Sequence, residues 1–395
     1  TTHSIGEAAS LDIVVVIDTS ESMASETVGF DPSDYDPTVC NAANSCQPLR
    51  KAKDAANAMI DKFFNGYDRI AIVTYDVKAT IHDPDLSTSD LLEADHTAVK
   101  SAINAIQLFD GPSNADILAF GNPMLGEINP MDVDGDGIYF ESKDMLGSTC
   151  AGCGMRVAGD ILKAQGRVDS VWIIVFLSDG QTNMSDLPDA TDLNNPVPAG
   201  YVDGFCGGAI SARLWTNEPS TPYSWCTDSD PATRHCGPYH ANIGECPAGA
   251  TWAGNSSPPY DTDDYARDMT DRVALVYPEY YTPFGDGTPE GVPLGELEPK
   301  AGDEIAIYAI GLGGAATPPD YDGEMLLRYM ANIGDDNFRN PIPDDLADDY
   351  DQDPCDPVIA PPQTSCGQYY YAPSDAYLTQ IFEKVAGSIF TRITQ

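Results

Sequence analysis

The sequence predicts an α/β protein: a doubly wound, mostly parallel central sheet flanked by helices, with long loop insertions stabilised by disulfides and metal. Three observations lead there. Short β-branched apolar runs alternate with helical patterns along the chain, as they do where a parallel sheet is covered on both faces. The 395 residues are 42% hydrophobic, enough to bury a core and too much for a globally disordered chain. Stretches rich in Gly, Pro, Asn, Asp and Cys break the alternation at three places and are too long for ordinary connections.

The first strand is expected at residues 11–17 (LDIVVVI), apolar almost throughout, as a central strand should be. A helical pattern at 49–64 follows, then a strand at 69–75 (RIAIVTY) and a helix at 97–107. A helix at 155–163 leads into a strand at 171–177 (VWIIVFL). Next come a helix at 265–276, a strand at 304–310 (EIAIYAI), a helix at 324–331 and a short strand at 368–371. The last helix, 374–389, has Ser374 at its N-cap position and places Leu378, Ile381, Phe382, Val385 and Ile389 at helical spacing. This order gives one domain over residues 1–395 with right-handed crossovers, and insertions at about 25–48, 111–146 and 184–262.

Charge narrows the function classes. The chain carries 62 Asp and Glu against 20 Lys and Arg, a formal net charge of −42, and no basic stripe to neutralise a phosphate backbone, so no nucleic-acid partner is expected. Divalent cations, a saline habitat or an acid habitat each account for such a surface. The longest apolar runs, 11–17 and 171–177, are far shorter than the roughly 20 residues a membrane helix needs, so no membrane span is expected. The chain opens Thr1-Thr2-His3 rather than with Met, which suits a processed secreted protein and equally a fragment. Its ten Cys, an even number, lie mostly in loop-like stretches, which points to structural disulfides and a secreted or cell-surface location.

The chemistry concentrates at strand ends. Directly after the first strand stands Asp18-Thr19-Ser20-Glu21-Ser22, at the carboxyl end where open α/β sheets place their ligands. A carboxylate and two hydroxyls two residues apart can converge on one hard cation, because Mg²⁺ and Ca²⁺ take oxygen ligands. A second carboxylate, Asp179, follows the strand at 171–177, and Gly180 after it suits a sharp turn. A third loop, Gly147-Ser148-Thr149, precedes the helix near Met155 and offers another hydroxyl.

These motifs resemble the von Willebrand factor A (vWA) family, a Rossmann-like fold with a metal-ion-dependent adhesion site (MIDAS) built from an Asp-x-Ser-x-Ser loop, a Thr and a further Asp. The resemblance implies Mg²⁺ or Ca²⁺ held by Asp18, Ser20, Ser22, Thr149 and Asp179. It extends to the strand at 69–75, to residues 306–313 with their Ile-Gly-Leu-Gly turn, and to the C-terminal helix. The loop Gly111-Pro112-Ser113-Asn114-Ala115-Asp116 also resembles the hydroxyl-bearing loop. Thr149 is preferred to Ser113 because Gly152, Gly154, Ala158 and Ile161 resemble the family's small-residue helix start. Residues 265–269, 369–373 and 389–395 resemble bacterial secreted vWA proteins associated with Tad-type pilus assembly.

A second metal candidate is Asp132-Val133-Asp134-Gly135-Asp136-Gly137, whose alternate carboxylates suit a Ca²⁺ loop or a plain turn. Lys143 stands where an EF-hand has Glu, so the Ile138 carbonyl with Glu141 or Asp144 is expected to close the coordination. The acidic stretch 344–356 reads as a solvated loop. Cys150 and Cys153 read as a small structural disulfide rather than a redox pair. Cys40 with Cys46 and Cys355 with Cys366 are expected as local pairs, while Cys206, Cys226, Cys236 and Cys246 allow three connectivities. Asn183-Met184-Ser185 and Asn255-Ser256-Ser257 are glycosylation sequons.

No catalytic set stands out, and no enzyme is expected: the sequence holds no His-Glu-x-x-His, Gly-x-Ser-x-Gly or phosphate loop. The resemblance implies an extracellular adhesion-type domain whose MIDAS metal captures an Asp or Glu carboxylate of a protein partner, on a bacterial surface or pilus. The alternative is a structural subunit of a surface layer or filament, in which metal and disulfides only stabilise the fold. Trp215, Tyr223, Trp225, Tyr239 and Trp252 would then supply an interface, or bind carbohydrate.

Overall fold

The computed structural model describes residues 9–29, 37–76, 79–84, 89–108, 149–180, 182, 184–186, 223–225, 266–267, 269–270, 273–274, 305–313, 322–336, 355 and 361–393. Strand β1, Ser10–Asp18, is buried along its whole length. After it come α1 (Thr38–Ala43), α2 (Leu49–Ile60), β2 (Arg69–Tyr75), β3 (Ala79–His82) and α3 (His96–Ala105). Then follow α4 (Ala151–Gln165), β4 (Ser170–Ser178), β5 (Met184–Asp186), β6 (Tyr223–Trp225) and β7 (Ala306–Leu312). The chain continues through α5 (Asp322–Asp336), β8 (Tyr369–Ala372) and α6 (Leu378–Ile393). Residues 266–267, 269–270 and 273–274 are also helical.

Six strands form one sheet in the order β3-β2-β1-β4-β7-β8, and β5 pairs with β6 separately. Only β3 runs antiparallel in the six-stranded sheet, so the fold is the mostly parallel, doubly wound sheet that the sequence predicts. Successive side chains of β1 point to opposite faces and feed two cores. Leu11, Ile13, Val15 and Ile17 pack with Ala52, Ala56, Met59 and Ile60 of α2, Val99 and Ile103 of α3, and Phe382 and Val385 of α6. Val14 and Val16 pack on the other face with Met155, Ala158 and Leu162 of α4 and with Leu327 and Met330 of α5. At roughly 25 cal/mol per Å² of apolar surface, these two cores are the main source of stability.

Asp12, the one charged residue of the β1 apolar run, is fully buried and receives two arginines. Arg69 donates through Nε and Nη2 at 2.9 and 2.8 Å, and Arg167 through its backbone N–H at 2.6 Å and Nη2 at 2.8 Å. Burial would raise the Asp12 pKa, but the bonds from Arg69 and Arg167 outweigh it and hold the carboxyl below its ordinary value.

Several boundaries differ from the sequence expectation. Helix α4 begins four residues before Met155, because Ala151 to Gly154 are small enough to lie against the sheet. Strand β7 begins at Ala306 and runs on to Leu312, where Gly313 turns with φ +28°. Ser374 makes no side-chain cap hydrogen bond. It precedes a 3₁₀ turn, Asp375–Tyr377, and α6 starts only at Leu378. The 25–48 stretch contains α1, and the 184–262 stretch contains the β5–β6 pair. No helix among the described residues is long and apolar enough to cross a membrane.

Candidate metal centre

The sheet grows in opposite directions from β1, through β2 to β3 on one side and through β4 to β8 on the other. Loops leaving β1 and β4 therefore diverge and leave a crevice at the carboxyl ends of the two strands. Asp18 ends β1 and Asp179 follows β4, on either side of that crevice.

Asp18 is fully buried. Its Oδ1 accepts the Ser20 backbone N–H at 2.9 Å, which closes the loop as an Asx turn does. Its Oδ2 accepts Ser178 Oγ at 3.1 Å across the crevice. Ser20 and Ser22 share a hydroxyl–hydroxyl bond of 2.9 Å, and Ser22 Oγ donates to Asp179 Oδ1 at 2.7 Å. Asp18, Ser20, Ser22 and Asp179 thus form one connected cluster of oxygen atoms.

Burial raises the Asp18 pKa, opposed by the hydrogen bonds from Ser20 and Ser178. Burial also pushes the Asp179 carboxyl well up, and the nearby charge of Asp18 pushes it further. Among the described residues no lysine, arginine or histidine forms an ion pair with either carboxylate. Two buried carboxylates, both raised by burial and one raised further by the charge of the other, are linked by hydroxyls and form a donor set that fits a hard divalent cation. Among the described residues no three His, Cys, Asp or Glu side chains come together as a metal-holding group, so this set depends on its hydroxyls as well as on its two carboxylates.

Thr149 is 3% exposed and stands one residue before the N-cap of α4. Its carbonyl accepts Thr182 Oγ1 at 3.0 Å, and the next N–H, of Cys150, donates to the Asp76 carbonyl at 2.7 Å. The Asp76 carboxylate accepts Thr19 Oγ1 at 3.0 Å. Asp76 therefore fastens the Thr149 loop to the loop after β1, and Thr182 fastens it to the segment after β4. Sequence reasoning missed both. Asp76 had a usable signal, a carboxylate directly after an apolar strand, whereas nothing around Thr182 distinguishes it. Tyr75 lies beneath the site with its hydroxyl donating to the Leu177 carbonyl at 2.9 Å. The chain bends at Asp179 and Gly180 as expected, but the bend does not require glycine: the φ of Gly180 is not left-handed and an added Cβ would meet nothing within 4 Å.

Cys40 is bonded to Cys46, Cys150 to Cys153 and Cys355 to Cys366. Ser113, the calcium-loop set (Asp132, Asp134, Asp136, Ile138, Glu141, Asp144), Cys206, Cys226, Cys236 and Cys246 lie outside the described residues, as do Trp215, Tyr239 and Trp252.

No family model and no curated protein matches the sequence. Solved structures are similar in outline. The PilB minor pilin from Streptococcus sanguinis is 13% identical with a TM-score of 0.47, over 99% of this chain and 64% of that one. This chain therefore spans just under two thirds of the pilin's length. The vWF domain of the type V pili tip protein Mfa5 from Porphyromonas gingivalis is 13% identical with a TM-score of 0.45, over 99% and 98% of the two chains. Proximal thread matrix protein 1 from the mussel byssus, solved with a zinc-occupied MIDAS motif, is 12% identical with a TM-score of 0.35, over 96% and 47%. Identities this low concern the fold alone.

Proposed function

We propose that this chain is a single vWA-type domain over residues 1–395. It acts outside the cell and captures an acidic group of a protein partner, on a pilus or cell surface, through a divalent cation held by Asp18, Ser20, Ser22, Thr149 and Asp179. The observation that carries the reading is the Ser20–Ser22–Asp179 hydroxyl chain, which joins the ends of β1 and β4 over two buried carboxylates without a protein cation. The bound cation would supply Lewis acidity and an open coordination position for a carboxylate. Ser20 and Ser22 contribute neutral oxygens, so only Asp18 and Asp179 offset the charge of the cation. Asp18 and Asp179 would hold it from the ends of β1 and β4, and Asp18 also orients the loop by accepting the Ser20 N–H. Buried disulfided cysteines at Cys40, Cys150 and Cys355 support an oxidising compartment. The reading is one of binding rather than catalysis. The Asp132–Asp144 loop is assigned to Ca²⁺ in the same proposal.

Isothermal titration of Mg²⁺ and Mn²⁺ into the chelated full chain and its Asp179→Asn variant tests the reading. The wild type should bind one more ion than the variant, with both folded. Equal stoichiometry would remove the metal centre and leave the structural-subunit role in its place.

A further inference from the structure

Resting on the metal-centre reading above, we propose that the Cys150–Cys153 disulfide is a positioning element of that centre. It holds the Thr149 loop in its ion-binding shape, and its loss weakens divalent-cation binding out of proportion to its effect on the fold.

The argument starts from the first turn of α4. That turn reads Ala151-Gly152-Cys153-Gly154, with Cys150 as an N-cap that makes no side-chain cap hydrogen bond and with no acidic residue to favour the helix start. Glycine gives up more backbone freedom on ordering than any other residue, and an uncapped helix end leaves its first N–H groups to other partners. A stiffer residue is not available at Gly154. A Cβ there would lie 2.8 Å from Tyr75 Cδ1 and 3.0 Å from Val16 Cγ1. The close approach of α4 to β1 and β2 thus requires a residue that by itself leaves the turn loose, directly beside Thr149.

The disulfide joins the two ends of that turn, and both cysteines are fully buried. A cross-link removes the open conformations that the glycines would otherwise populate. Its lower end is also where two loops of the site meet. The Cys150 N–H donates to the Asp76 carbonyl at 2.7 Å, and the Asp76 carboxylate holds Thr19, between Asp18 and Ser20. Thr182 Oγ1 donates to the Thr149 carbonyl at 3.0 Å and accepts the Ala151 N–H at 3.3 Å. A shift of Cys150 would therefore move both the Thr149 hydroxyl and the loop after β1. The Cys355–Cys366 pair has no such place: it lies beside the start of β8, and the Cys355 carbonyl accepts Arg328 at 3.0 Å.

The test compares the full chain with two double variants, Cys150→Ala/Cys153→Ala, which keeps the buried positions apolar, and Cys355→Ala/Cys366→Ala. Mn²⁺ affinity is measured by titration, and melting is measured without metal. The first variant should bind Mn²⁺ about tenfold more weakly, the loss typical when an outer-shell partner of a metal ligand is removed, and still melt cooperatively. The second should melt lower with its Mn²⁺ affinity within about twofold of wild type, as expected for a site not coupled to it. Equal Mn²⁺ affinity in the first variant and the wild type would overturn the inference. So would failure of the first variant to fold while the second folds, because the disulfide would then hold the domain rather than the loop. Absence of Mn²⁺ binding in the wild type would instead bring down the metal-centre reading itself.

Discussion

Asp12, Asp18 and Asp179 are all buried carboxylates, and their partners send them in opposite directions. Asp12 has two guanidinium groups and is held below the ordinary carboxylate value. Its stabilisation is therefore complete above that value, about 3.9, and is lost as pH falls through the lower folded one. Replacing Asp12 by Asn should cost about 3 kcal/mol in urea unfolding, the low end for breaking a buried pair, since Arg69 and Arg167 keep some contact with water. Asp18 and Asp179 have hydroxyls and each other, and burial raises both. Their ionisation costs stability at neutral pH, and that cost disappears as pH falls through the raised folded values toward about 3.9. In chelator, the melting temperature of the wild type should thus rise between neutral pH and about pH 4–5, and rise less in Asp179→Asn. An identical pH profile in the two proteins would show that Asp179 does not carry this cost. Mg²⁺ should flatten the wild-type profile by stabilising the ionised pair.

At the scale of elements, glycines set how closely the helices approach the sheet. A Cβ on Gly334 of α5 would lie 2.4 Å from the Ile307 backbone nitrogen and 2.7 Å from its Cα, atoms that cannot move aside. Gly334→Ala should therefore lower stability by about 3 kcal/mol, at the upper end for overpacking, by lifting α5 from β7. At Gly154 the obstacles are the Tyr75 ring and the Val16 side chain. Gly154→Ala should cost about 1–2 kcal/mol in thermal melting and, by tilting the start of α4, weaken Mg²⁺ binding as well. Lys53 marks a different kind of junction. It is 1% exposed and donates to Asn44 Oδ1 and the Ile106 carbonyl, both at 2.7 Å, which ties the ends of α1 and α3 to α2. Burial brings its pKa down to about 8.

For the whole molecule the net charge of −42 governs behaviour at a distance. Self-repulsion of that size destabilises the compact state and is screened over about 10 Å at 0.1 M salt. The melting temperature in chelator should rise as NaCl increases from about 10 mM to 0.15 M, where screening sets in. Association with an acidic partner should also speed up over the same range, the reverse of electrostatically steered binding. A partner whose on-rate falls with salt would instead carry net positive charge.

What the sequence determined by itself was local in origin. The β-branched runs at 11–17, 69–75 and 171–177 are long and apolar enough to demand burial on both faces, and the helical patterns between them imply a parallel sheet. Asp18, Ser20, Ser22 and Asp179 were legible because they stand where those runs stop, and a polar residue there is at the carboxyl edge of the sheet wherever the strand lies. Tertiary structure decided the rest. Strand β3 (Ala79–His82) is short, only partly buried and at the sheet edge, so it leaves no apolar run to read. The need for glycine at 154 and 334 arises from Tyr75 and Ile307, residues distant in sequence. The fastening of Thr149 by Asp76 and Thr182 depends on three loops meeting above β1, β2 and β4. Periodicity reports which face a residue buries. Which atoms meet there depends on strand order and register, and those are settled only when the whole sheet packs.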